Sequence, residues 1–187
     1  MDVTSVFAAF GLSGAAGLNA WLPLFAGALL ERVDAVDLAA PFDELSSTGA
    51  IVVLGVLTVA DFVGDKVPAV DHVLHALGTV IAPLSGAVLF AGQTGADTDI
   101  PTLVAAIAGG TTAEAVHAGR AVVRPASTAT TGGLGNPVLS LIEDVGSGVL
   151  TLFAFVVPLL AILLVIGLLV AVFILWRRAR RGMGALG

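Results

Sequence analysis

The chain has no cysteine among its 187 residues. That excludes disulfide frameworks and thiolate metal centres, so any metal would need histidine or carboxylate ligands. Charge is scarce as well: 12% of residues are charged and 57% are hydrophobic, with a mean hydropathy of +1.04. A water-soluble domain ordinarily carries about 25% charged residues, so this chain needs lipid as its solvent. No basic n-region precedes the first apolar stretch, Val3 to Leu30. That stretch is also too long for a signal-peptide core and is expected to persist as the first helix. The sequence lacks a Gly-x-x-x-x-Gly-Lys loop, a His-Glu-x-x-His pair and a Gly-x-Ser-x-Gly elbow, which disfavours ATP-driven transport and the commonest hydrolase chemistries.

The expected fold is all-α, a single polytopic transmembrane bundle over residues 1–187. The apolar runs divide into six segments, about 3–30, 49–65, 67–93, 101–123, 137–146 and 147–176. Since a crossing takes roughly 20 residues, 49–65 and 137–146 are short enough to be tilted or re-entrant, or, for 137–146, continuous with the sixth segment. The net charge is −6, yet the eight basic residues are unevenly placed. Arg177, Arg178, Arg180 and Arg181 follow the last apolar run, so by the positive-inside rule 177–187 is a cytoplasmic tail. Six crossings would put the N-terminus inside too, with Lys66, Arg120 and Arg124 on the same side and Arg32 outside. Ser127 to Gly135, rich in Ser, Thr and Gly without apolar periodicity, is expected to be a mobile loop.

An internal repeat organises these segments. Val56 to Asp65 aligns without a gap to Val138 to Ser147, which matches Asp61 with Glu143 and Val63-Gly64 with Val145-Gly146. More loosely, Gly11 to Asn19 aligns with Gly109 to His117. With three crossings in each half, about 1–96 and 97–176, the halves form an inverted repeat. In such folds the site lies near the midplane, where interrupted segments of both halves meet.

Three stretches carry a family likeness: Gly11-Leu12-Ser13-Gly14-Ala15-Ala16-Gly17-Leu18-Asn19-Ala20-Trp21-Leu22-Pro23, Asp61-Phe62-Val63-Gly64-Asp65-Lys66-Val67-Pro68, and Gly135-Asn136-Pro137. Together they make nearly the whole chain resemble a bacterial membrane family known as domain of unknown function 4126. The resemblance implies a small multi-pass protein of the bacterial plasma membrane and brings no catalytic role with it.

An ionisable side chain within a hydrocarbon span costs several kcal/mol, from ~2.5 upwards, and therefore usually faces a bundle interior or a water-filled path. Asp61 and Asp65, four apart, share one helical face, where two carboxylates favour a shared proton or a bound cation. Asp65 and Lys66 could equally sit at the membrane interface, where charge is cheap. Glu143 and Asp144 are consecutive and point about 100° apart, so one of them faces the cavity that Asp61 faces, and the repeat selects Glu143. The alternative puts both in a turn before Gly146-Ser147-Gly148. Glu114 and His117 form a Glu-x-x-His pair, suited to a proton relay or an interhelical hydrogen bond. Asn19 and Pro23 interrupt the first apolar stretch, where Gly11, Gly14 and Gly17 form a face for close helix packing or line an opened path. A metal site is the weaker alternative for Asp71, His72, His75, Glu114 and His117, because carboxylate-bridged centres pair two Glu-x-x-His motifs and only one is present.

The leading functional expectation is a small secondary transporter, permease or flippase, coupled to protons or cations. Its ion-coupling residues are Asp61, Asp65, Glu114, His117, Glu143, Asp144 and Asn19. A metal-dependent intramembrane enzyme and a non-catalytic accessory subunit are the alternatives. No cofactor and no nucleic-acid partner are expected. The partners are the lipid bilayer and an unidentified small solute, ion or lipid, with a homodimer left open.

Overall fold

The computed structural model describes residues 3–95 and 98–184. Among them the chain is all-α, with seven helices: α1 (Val3–Leu18), α2 (Leu22–Arg32), α3 (Thr48–Gly64), α4 (Pro68–Gly95), α5 (Thr102–Thr131), α6 (Asn136–Val156) and α7 (Pro158–Gly184). Val73–Gly95, Asn136–Val156 and Pro158–Arg178 are long and apolar enough to cross a membrane, and Val3–Leu18 and Thr48–Gly64 are shorter apolar helices.

The segment expected as one helix over 3–30 is a helical hairpin. Its break falls at Asn19-Ala20-Trp21, where the Asn19 side chain accepts the backbone N–H groups of Trp21 and Leu22 at 3.1 and 3.0 Å. These are orphan donors at the start of the next helix. Pro23, close behind, is tolerated in a first helical turn. Helix α2 then returns along α1, so that Leu24 and Ala28 pack with Leu12 and Ala16. Thr4, Ser5 and Ala8 share a cleft with Leu30 and Ala35.

Two boundaries later in the chain differ from expectation as well. Helix α6 runs unbroken through Gly146-Ser147-Gly148, and the interruption comes at Val157-Pro158. A glycine keeps its backbone N–H and C=O in the helical ladder, which hydrocarbon enforces because it offers them no other partner, whereas Pro158 has no N–H to continue the ladder. Helix α5 takes in Pro125 and most of the expected loop, ending only at Gly132 and Gly133. Gly132, at φ 62°, supplies the left-handed residue that closes a helix C-terminus.

Helix α1 lies at the centre and packs on α4, α5, α6 and α7. Its small residues permit this: Gly11 meets Ala154 and Ala161, Gly14 meets Val165, and Gly17 meets the Ala113 carbonyl and Val116. Helix α7 therefore runs parallel to α1, and the start of α1 lies at the opposite end of the bundle from the arginines of α7. The two ends lie apart because the first segment doubles back on itself.

Polarity is inverted relative to a soluble bundle. On α6 the buried positions include Asn136, Ser140, Asp144, Ser147 and Thr151, while Val138, Leu141, Ile142, Val145, Val149 and Leu152 face outward. Helix α3 likewise exposes Val52, Val53, Val56, Val59 and Val63. Water solvates such faces poorly and hydrocarbon solvates them well, as expected of a membrane protein.

Helices α4 and α5 cross at Gly86 and Gly109, where each glycine lies against the other's backbone and a Cβ on either would overlap a carbonyl. Ser13 Oγ donates to the Gly86 carbonyl at 3.1 Å at the same crossing. Gly109→Val is expected to cost about 1–3 kcal/mol through overpacking, or more where backbone cannot yield. Thermal unfolding in detergent checks this, and Gly49→Ala, which meets open space, serves as the neutral control.

Candidate functional site

The tip of the α1–α2 hairpin points at two acidic residues from different helices. With its Oδ1 engaged by backbone N–H groups, the Asn19 amide nitrogen is left to donate to Asp61 Oδ2 on α3 at 3.0 Å and to Asp144 Oδ1 on α6 at 2.9 Å. Asn19 is only 2% exposed, so water competes little for its amide. Asp65, one turn beyond Asp61, completes a group in which one oxygen from each of Asp61, Asp65 and Asp144 lies within 4.8 Å of the others. Lys66 reaches into this group, with Nζ 3.1 Å from Asp144 Oδ2 and 4.3 Å from the centre of the Phe62 ring. Among the described residues no hydrogen bond or ion pair reaches the Asp65 carboxylate.

A second charged layer adjoins the first because Glu143 and Asp144 are consecutive on α6 and point to different sides. Glu143 Oε2 accepts from Arg120 at 2.9 Å and from Arg124 at 2.6 Å. Arg124 also donates to Ser140 Oγ at 3.1 Å and pairs with Asp71 on α4. The guanidinium fork, rigid and permanently charged, suits a buried cation that must satisfy several oxygens at once.

Between the layers lies an enclosed cavity of about 30 Å³ whose walls include Trp21, Asp61, Asp65, Gly78, His117 and Arg120. It has room for about one water. His117 is 1% exposed, and neither of its ring nitrogens has a partner among the described residues. Its ring stacks on His75 at 4.8 Å between centroids and presses on Gly78, where no Cβ would fit. His75 in turn borders a wider cleft of 540 Å³ with Asp71, Arg124, Thr128 and Asn136.

Of the residues proposed from sequence, Asn19, Asp61, Asp65 and Asp144 come together around one point, and His117 lines the cavity beside them. Glu143, which the repeat matches with Asp61, belongs to the arginine layer, and the residue opposite Asp61 across Asn19 is its neighbour Asp144. Glu114 stands apart on α5, with a buried Oε2 that has no partner among the described residues. The alternative metal set does not converge, since Asp71 is held by Arg124 and the two histidines face each other. His72 lies on α4, and its side chain is outside the described residues. Among the described residues, Asp61, Asp65 and Asp144 form the one group with metal-ligand proximity. Sequence reasoning treated Lys66, Arg120 and Arg124 as topology markers and missed their role here. The available signal was the four-residue spacing of Arg120 and Arg124 on a helix whose other ionisable residues are Glu114 and His117.

A lipid-facing all-α bundle with a buried layer of paired and unpaired charges is the class that fold and site define. The chain belongs to the family described as Domain of unknown function (DUF4126), which matches residues 6–178, as the three sequence stretches suggested. No curated protein and no solved structure matches the chain.

Proposed function

We propose that this protein is a small multi-pass carrier in the bacterial plasma membrane that couples movement of a small solute or lipid to a proton or cation. The observation that carries the proposal is charge imbalance in a buried place. Five carboxylates (Asp61, Asp65, Asp71, Glu143, Asp144) meet three bases (Lys66, Arg120, Arg124), an excess of two. Arg120 and Arg124 balance Glu143 and Asp71, and Lys66 balances Asp144, which leaves Asp61 and Asp65 to be neutralised by something mobile. An uncompensated charge in a lipid-solvated bundle is costly, so uptake and release of that neutralising ion is strongly coupled to the state of the site.

Asn19 strengthens this reading. It sits at a helix break, and in carriers interrupted helices bring backbone and side-chain polar groups to a central site. An inverted repeat of the halves 1–96 and 97–176 rests, in this reading, on the sequence match of Val56–Asp65 with Val138–Ser147. The arginines of α7 support a cytoplasmic basic end. Since α1 starts at the other end, this reading has the N-terminus outside.

The proposal is tested in proteoliposomes loaded with a pH-sensitive dye under an imposed sodium or calcium gradient. The wild type is expected to move protons against the cation, with Asp61→Asn and Asp144→Asn each lowering the rate at least about tenfold, the loss expected for a group that must change charge in each cycle. A wild type no faster than protein-free vesicles, or variants as fast as wild type, would sink the coupling role.

A further inference from the structure

We infer that Asp61, Asp65 and Asp144 form a binding site for a calcium-like hard divalent cation, with the Lys66 ammonium as a tethered competitor that yields when the ion enters. This rests on the carrier reading only for its purpose in a transport cycle; the binding itself stands on geometry.

Geometry is the first argument. One oxygen from each carboxylate lies within 4.8 Å of the other two, close enough for all three to share one ion. Calcium accepts irregular shells of about six to eight oxygens, whereas magnesium dehydrates reluctantly and demands a near-octahedral shell, which three side chains at a helix junction do not supply.

Charge is the second. Asp61 and Asp65 are the two carboxylates left over once the bases are assigned, so a doubly charged ion neutralises them and a singly charged one does not. A third observation is independent of the acidic group. His117, 1% exposed and with no partner for either ring nitrogen among the described residues, lines the 30 Å³ cavity that Asp61 and Asp65 also line. Arg120, in the same wall, is held by Glu143. A space for one water beside an unsatisfied imidazole and two carboxylates gives an ion with an incomplete protein shell a further ligand.

Lys66 explains how the site is kept when no ion is bound. Its ammonium lies 3.1 Å from Asp144 and over the Phe62 ring at 4.3 Å. The ring face gives the ammonium a resting place when a metal ion takes the carboxylate. Lys66 lies at the α3–α4 junction with its side chain 31% exposed, so it can swing without unpacking the bundle. Asn19, held by two backbone N–H groups, cannot move in this way and keeps Asp61 and Asp144 in register.

Trp21 lines the same cavity and reports on it. The second of the two tryptophans, Trp176, is removed by Trp176→Phe. In that background the purified full-length chain is titrated at constant ionic strength with calcium, magnesium and sodium chlorides, following Trp21 emission and, in parallel, heat by isothermal calorimetry. Calcium is expected to saturate the site, with magnesium at least about tenfold weaker and sodium weaker still. Asp61→Asn and Asp65→Asn should each weaken calcium binding at least about tenfold, while Lys66→Met should tighten it by about tenfold through loss of the competitor. Far-UV circular dichroism and elution volume confirm that each variant is folded.

Absence of saturable calcium binding to the wild type by either readout overturns the inference, as does sodium binding in preference to calcium, or calcium binding that Asp61→Asn and Asp65→Asn leave unchanged. Lys66→Met that binds no tighter than wild type overturns the competitor role. Calcium binding without ion movement in the vesicles would refute the carrier reading and leave this site standing. Proton movement without calcium binding would do the reverse.

Discussion

Arg124→Leu is expected to be the most damaging single substitution in the chain, lowering stability by about 3–5 kcal/mol, the range for removing one partner of a buried charge network. Arg124 is 6% exposed and holds Asp71, Glu143 and Ser140, from two other helices. Its removal leaves Asp71 buried with no other ion-pair partner among the described residues, and Glu143 with Arg120 alone. The lost attraction is the smaller part of the effect; the larger is the desolvation of a carboxylate that no longer has a counter-charge. The double variant Arg124→Leu/Asp71→Leu should therefore be more stable than Arg124→Leu, despite carrying one more substitution. Unfolding midpoints in detergent would decide the matter: a double variant no better than the single one would mean that Arg124 acts by packing rather than by charge. Arg124→Lys should fall between, because a lysine offers a point charge without the fork that spans three oxygens.

The same substitution shows why part of this site was illegible in the sequence. That the chain is an all-helical membrane protein followed from its hydropathy and scarcity of charge, and the arginines near 120 and 177 could be read at once as positive-inside markers. The rule counts charges near span ends without saying what each one touches. Arg120 and Arg124 were assigned to a helix end because the Ser- and Thr-rich stretch after them has no apolar period. In the structure α5 continues to Thr131, which puts both arginines inside the helix and turns them from interfacial anchors into buried partners. Hydroxyl side chains made the continuation possible: Thr130 and Thr131 return hydrogen bonds to the Ser127 carbonyl, a local satisfaction that does not show up as periodicity.

Helix α6 gives the complementary lesson. Gly146-Ser147-Gly148 has the composition of a loop, yet Ser147 is fully buried and donates to the Ala15 carbonyl of α1 at 2.9 Å. Gly146 serves close approach of Leu18 from α1 rather than a turn, while Gly148 meets open space. Reading them as a break shortened the fifth segment and favoured Glu143, through the repeat, as the partner of Asp61. Once α6 is continuous, Ser140, Asp144, Ser147 and Thr151 form one buried stripe at helical spacing, and Asp144 falls on it while Glu143 lies to one side. The polar period of α6 was available in the sequence; the expectation that buried stripes are apolar concealed it. In lipid the stripe that faces the bundle is the polar one.

Asn19→Ala is the second large effect expected, and it separates two roles that one side chain performs. Asn19 starts α2 by accepting from Trp21 and Leu22, and it spaces Asp61 from Asp144 by donating to both. Alanine removes all four hydrogen bonds of a buried side chain, and unsatisfied buried groups cost about 1–3 kcal/mol apiece before relaxation. A net loss of about 2–4 kcal/mol is expected, since the hairpin tip can shift to recover some partners. Asn19→Asp distinguishes the roles. An aspartate still accepts from the two backbone N–H groups, so α2 should start as before, but it brings a further negative charge to Asp61 and Asp144 in place of a donor. Stability should therefore fall with Asn19→Asp in metal-free buffer and recover on adding calcium, by a larger shift in unfolding midpoint than calcium gives the wild type, because ligand binding to the folded state stabilises it in proportion to affinity. Equal destabilisation with and without calcium would mean that the asparagine amide is needed for the hairpin alone. Recovery by calcium would tie the helix break and the carboxylates into one device, in which the chain reversal at Asn19 sets the spacing of the charges that receive the ion.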